Sequence, residues 1–147
     1  MAFRPKILAL ANKITLEART GIPNVPGDPE YRILAEVVTD EQADVALACK
    51  VRHSLTLDEI AKRCGKPPEV TKKLLWELAN EGIVVTYTSP DDGRDYYTLP
   101  CWVPGIMEMM VGNKEQVEAH PEIARCFDEY TLKNICLLYT SDAADEL

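Results

Sequence analysis

The stretch that decides the fold is residues 57–84, LDEIAKRCGKPPEVTKKLLWELANEGIV. Leu57, Ile60, Ala61 and Cys64 recur at helical spacing and predict one amphipathic helix. Gly65 follows at the position where left-handed backbone costs glycine little and ends a helix cleanly. Pro67 and Pro68 open a second helix, because proline in a first turn lacks only an N–H that would be unpaired anyway. Val70, Leu74, Leu75 and Leu78 form the apolar stripe of this helix, and Gly82 stops it. Trp76 lies beside that stripe, and its spacing assigns it to the core or to an interface.

Working outward, Thr39-Asp40-Glu41-Gln42 is a capping box: the hydroxyl accepts the N3 amide and Gln42 reaches back. The helix it opens carries Val45, Ala46, Leu47 and Cys49 inward and ends near Val51. Ser54-Leu55-Thr56 reads as a very short strand, and Thr56-Leu57-Asp58-Glu59 is a second capping box. Beyond Gly82, residues 83–88 and 95–99 are β-branched and aromatic runs. They flank Ser89-Pro90-Asp91-Asp92-Gly93-Arg94, a hairpin signal. Helix, short strand, helix, helix and hairpin, over residues 40–100, resembles a winged helix-turn-helix. The expected fold class is therefore mainly α (α+β), a winged helix-turn-helix with a two-stranded wing plus C-terminal helices. The expected domain spans residues 39–100. That fold serves both DNA binding and protein contact, so it does not by itself assign a function.

The chain has 147 residues, 46% apolar and 27% charged, which suits one compact domain with a real core. Collagen-like, low-complexity and disordered classes are excluded by that apolar fraction. Residues 1–38 show helical spacing only from Ile7 to Leu16. Gly21, Pro23, Pro26, Gly27 and Pro29 then crowd into nine residues. This segment is expected to be an N-terminal arm or linker. Arg4 and Lys6 precede only five apolar residues, too few for a signal peptide or a membrane span. A cytoplasmic location is expected, with no membrane partner. The five cysteines, at 49, 64, 101, 126 and 136, have no metal-ligand spacing and read as reduced thiols. His53 and His120 are isolated and read as surface or capping residues. No glycine-rich dinucleotide loop, P-loop, nucleophile elbow or zinc-protease motif occurs, so no catalytic, cofactor-binding or metal-ligating residue is expected.

A winged helix that reads DNA needs a basic third helix and wing. Lys72 and Lys73 on the helix and Arg94 on the wing are the candidates for nucleic-acid contact. Against them stand Glu69, Glu77, Glu81, Asp91, Asp92 and Asp95. Eight basic and eleven acidic side chains fall within residues 40–100, in a chain of net charge −8. Nucleic acid is therefore the disfavoured partner.

After the hairpin comes Cys101-Trp102-Val103-Pro104-Gly105-Ile106-Met107-Glu108-Met109-Met110-Val111, too apolar for a loose linker. It reads either as core beneath the winged helix or as a docking strip of Trp102, Met107, Met109 and Met110. Residues 113–120 and 121–132 read as two further helices, the second carrying Ile123, Cys126, Phe127 and Tyr130 inward. Together, EYRILAEVVTDEQADVALACKVR and CWVPGIMEMMVGNKEQVEAHPEIARCFDEYT resemble the N-terminal module of large bacterial iron–sulfur flavoprotein oxidoreductases. In that family the module precedes ferredoxin-type cluster motifs and a flavin domain of the pyridine nucleotide-disulfide type. The resemblance implies a non-catalytic accessory domain that docks onto downstream domains of the same polypeptide. The 4Fe-4S clusters, FAD and NAD(P)H it implies are expected there and not in this chain. A winged-helix transcriptional regulator is the alternative, and an adaptor that dimerises through its C-terminal helices is a third reading. Finally, CLLYTSDAADE, beginning at Cys136, resembles the in-frame translation of a transposase adapter from sequencing libraries. Residues 136–147 are thus expected to be an adapter-derived tail after a helical extension at 101–135, on the front end of a longer protein.

Overall fold

The structure is a computed structural model that describes residues 2–145, with side chains through residue 136. It is mostly helical, with a small three-stranded antiparallel sheet, an α+β arrangement. The helices are α1 Pro5–Glu17, α2 Pro29–Val37, α3 Asp40–Ala48, α4 Leu57–Cys64, α5 Pro68–Glu81, α6 Ile106–Gly112, α7 Lys114–Ala119 and α8 Glu122–Asp145. The strands are β1 Leu55–Thr56, β2 Val85–Thr88 and β3 Asp95–Thr98, in the order β1-β3-β2.

The local chemistry read from residues 39–84 is present. Thr39 and Gln42 close the capping box at the start of α3, each side chain bonded to the other's backbone N–H. At the start of α4 the Thr56 hydroxyl accepts from the Glu59 amide, which is one of the two bonds of the expected second capping box; the return bond from Glu59 is not made among the described residues. Gly65 and Gly82 end α4 and α5 with φ of 70° and 87°. One position of the α5 stripe differs. Val70 is exposed and Thr71 is buried in its place, with its hydroxyl donated to the Pro67 carbonyl. A threonine can occupy an apolar face when a backbone acceptor one turn away satisfies its hydroxyl.

Residues 1–38 are not an arm. Ile7, Leu10, Ala11 and Ile14 of α1 are fully buried at the spacing of one helix face, which packs on α3. In α2, Tyr31, Ile33 and Leu34 are buried, and α8 lies against this helix through Ile123, Cys126, Phe127 and Tyr130. The glycines and prolines of residues 21–29 are the turn between two core helices. Arg4 fixes the geometry of this corner. Its guanidinium donates to the Ala35 and Val38 carbonyls at the end of α2 (3.1 and 2.7 Å) and to the Asp40 carboxylate at the start of α3 (2.9 Å). A cation is favoured where helix carbonyls are left unpaired and a carboxylate stands at the next helix start.

The docking strip expected at Trp102, Met107, Met109 and Met110 is not a surface. Trp102 is 1% exposed, Met107 and Met110 are buried, and Met109 is half-buried against Gly82. The indole N–H of Trp102 donates to the Thr15 hydroxyl at 2.9 Å, and its ring lies 6.3 Å from that of Tyr130. Trp102 and Met107 lie where α1, α2 and α8 converge, and Met109 and Met110 lie against Gly82 at the end of α5, the other reading of the strip. In residues 136–147 the backbone continues α8 to Asp145. The side chains after Cys136, and with them most of the segment read as adapter-derived, lie outside the described residues.

Gly82 is constrained twice. Its left-handed φ disfavours any Cβ, and a Cβ there would meet the Met109 Cβ at 3.1 Å and the Met110 N at 3.2 Å. Gly65 shares the φ but faces open space. Gly65→Ala should cost about 1 kcal/mol from backbone alone, and Gly82→Ala about 2 kcal/mol or more as α6 is displaced. Equal urea-unfolding midpoints for the two variants would contradict this packing.

Candidate functional site

Helix α5 has two faces of opposite character. Thr71, Leu74, Leu75 and Leu78 point into the core, which fixes the rotation of the helix. Val70, Lys72, Lys73 and Trp76 are thereby turned outward. Trp76 is 64% exposed, beyond what the spacing along α5 suggested. Between this face and the hairpin lies a groove of about 570 Å³, lined by Lys72, Lys73 and Trp76 on one side and by Thr86, Thr88 and Tyr97 on the other. Tyr87 and Asp95 complete its rim at the hairpin and Glu69 at the helix start. Among the described residues Lys72 and Lys73 form no ion pair. Tryptophan is enriched among the residues that dominate protein contacts.

Arg94 is not part of this groove. It lines a separate recess with Thr56, Leu57, Asp58 and Asp95. The hairpin tip is built around Asp92, whose carboxylate accepts from the Tyr96 hydroxyl at 2.6 Å and from the Arg94 amide at 2.9 Å. The Tyr96 hydrogen bond, then the Arg94 amide, hold Asp92 below the usual carboxylate range, so the tip keeps its negative charge. On α4, Arg63 donates to the Ala48 carbonyl and Lys66 lies 3.8 Å from Asp44. The cations that would form a continuous phosphate-binding track are thus separated, and two are engaged locally.

No catalytic constellation is assembled among the described residues. Cys49, Cys64, Cys101 and Cys126 form no disulfide and are scattered, and burial pushes the Cys49 thiol up to about 12, far from a nucleophile. No three His, Cys, Asp or Glu side chains among the described residues converge as a metal site requires. His120 places Nδ1 3.0 Å from Glu36, a contact between α2 and the end of α7. No helix among the described residues is long and apolar enough to cross a membrane.

A second polar locus, unsuspected from spacing, joins α3, α5 and α7. The Gln42 side-chain amide donates to Glu77 at 3.0 Å and to Glu81 at 3.1 Å, while the Gln116 amide donates to the Glu81 carbonyl. Glu81 Oε2 is buried with no hydrogen-bond partner. Burial raises the Glu81 carboxyl to about 7, against the opposing pull of Gln42, with Glu77 raising it further. The only sequence signal for this locus was Gln42 itself, which was fully explained as a capping residue.

A carboxyl whose folded value lies above its unfolded value of 4.5 stabilises the fold at low pH. That contribution is lost as pH rises from about 4.5 to about 7, where the folded protein releases its extra proton. Glu81→Gln should therefore be more stable than the parent at pH 8, by about 1 kcal/mol after solvent screening. The difference should shrink toward zero at pH 5, as read by urea unfolding at the two pH values. The chain matches no protein-family model, no curated protein and no solved structure.

Proposed function

We propose that this chain is a winged helix-turn-helix module that works as a non-catalytic docking domain. In this reading α3, α4 and α5 are the three helices, β1 is the short strand, and β2 and β3 are the wing. The sheet order β1-β3-β2 supports that assignment. Helix α5 packs on α3 and α4, and α1 packs on α3. The observation that carries the docking role is Trp76, two-thirds exposed at the centre of the α5 face, beside a groove. The resemblance of residues 30–52 and 101–131 to the front module of iron–sulfur flavoprotein oxidoreductases supplies the larger setting. The chain would precede the cluster and flavin domains of an NAD(P)H-linked oxidoreductase and contact them, or a protein that exchanges electrons with them. The unbridged thiols of Cys49, Cys64, Cys101 and Cys126 suit a reducing cytoplasm.

DNA binding is the second reading, favoured by one observation: Lys72 and Lys73 are unpaired on the helix that would enter a major groove. The three carboxylates of the hairpin, Asp91, Asp92 and Asp95, oppose it where a wing would approach phosphate.

Three measurements separate the readings. The reading frame in the source DNA, followed past codon 135, should run on into cysteine cluster motifs and a glycine-rich dinucleotide loop. The separately expressed continuation should bind this chain, and Trp76→Ala should weaken that binding about tenfold or more. A stop codon or an effector domain in that position overturns the oxidoreductase setting. Salt-dependent binding to duplex DNA, abolished by a Lys72→Glu, Lys73→Glu double variant, overturns the docking role in favour of a regulator.

A further inference from the structure

The α5 groove is bounded on one side by a strand with an unused edge. In the order β1-β3-β2, β2 has one hydrogen-bonded neighbour, and its far side is open. The phase of the β2–β3 ladder follows from one bond. The Ser89 amide donates to the Arg94 carbonyl at 2.9 Å, so residue 89 faces β3. Backbone groups alternate inward and outward along an antiparallel strand, so Tyr87 and Val85 also face β3. The N–H and C=O groups of Thr86 and Thr88 therefore point to the open edge. Their side chains lie on the α5 side of the sheet with those of their partners Tyr97 and Asp95, as the lining of the groove records. Tyr87 projects to the other face, where its ring stacks on that of Tyr96 at 5.6 Å and holds the strand straight.

Exposed edge strands ordinarily carry a lysine, a proline or a bulge that blocks pairing. Val85-Thr86-Tyr87-Thr88 carries none of these, and all four residues pair in register with β3. We propose that the open edge of β2 takes an extended segment of a partner protein as a fourth strand. That segment would set an acidic side chain against Lys72 and Lys73 and an apolar one on Trp76. The inference rests on the docking role of this face and specifies its partner.

Charge sets the composition of the segment. Among the described residues Lys72 and Lys73 have no ion-pair partner, whereas the carboxylate of Asp95 is engaged by the Thr88 hydroxyl at 2.6 Å. Glu69, unpaired at the start of α5, limits the segment to one acid near the lysines and favours a neutral or basic residue opposite itself. Four residues of β2 span about 13 Å, room for a segment of four or five residues whose alternate side chains enter the groove.

The test is a random ten-residue peptide display library selected on the full chain, followed by amide hydrogen exchange on the complex with a recovered peptide. Recovered peptides should pair one acidic residue with alternating apolar ones. Binding should slow exchange at Thr86 and Thr88 in the unaltered protein. Thr86→Pro, which removes an outward N–H that β3 does not use, should weaken binding tenfold or more. The exchange pattern decides the question even if the proline variant fails to fold. Peptides that bind without slowing exchange at Thr86 and Thr88 overturn strand addition. If Trp76→Ala abolishes that binding, the docking role of the face survives. If no peptide is enriched, or duplex DNA protects the same two amides, the peptide partner is overturned.

Discussion

A buried tryptophan must find a partner for its indole N–H, and Trp102 finds the hydroxyl of Thr15. That hydroxyl also accepts from the Asn24 side-chain amide, and the Asn24 oxygen accepts from Lys133. Lys133 in turn meets the carboxylate of Glu30 at 2.8 Å, a glutamate only 3% exposed. One polar chain thus runs from α1 through the following turn and α2 to α8, beneath an apolar layer of Ile33, Met107, Phe127 and Tyr130. Breaking it at any member would leave a buried donor or acceptor unpaired, which costs more than the net gain from forming the bond. The closure of α8 onto α1 and α2 depends on this chain.

The residues of 39–84 could be read locally because their determinants are local. A cap, a glycine with positive φ and a stripe at helical spacing act within a few residues of themselves. Residues 1–38 misled because their burial is decided elsewhere. Ile7, Leu10 and Ile14 need α3, and Ile33 needs α8, far along the chain. The dense prolines and glycines were read as a sign of an arm when they only turn the chain between two core helices. Trp102 and Met110 misled for the same reason, since an apolar run with no visible partner resembles a surface. Trp76 shows the converse: its helical position was plain, but its exposure depended on Thr71 occupying the inward site. The lysines of the groove were identified from sequence. Their separation from Arg94 was not, because it depends on which face of the hairpin the tip hydrogen bonds select.

The electrostatic character of the α5 face is mixed on a short scale. Two cations, two carboxylates and an indole lie within one groove, in a protein whose overall charge is −8. A polyanion gains from a broad field of one sign, whereas a folded or extended protein segment can match alternating charges one by one. The acidic hairpin tip and the local engagement of Arg63 and Lys66 accentuate that difference.

The polar chain through Trp102 also has a consequence in time. Thr15 and Trp102 are 87 residues apart in sequence, and Glu30 and Lys133 are separated by 103. At ribosomal rates, roughly 5 to 20 s pass between emergence of the first and second member of such a pair. During that interval the apolar face of α2 has no α8 to cover it, while the α3–β3 segment can already close on its own neighbours. The nascent chain is therefore expected to fold from the middle outward and to present its first helices to chaperones until the last one arrives.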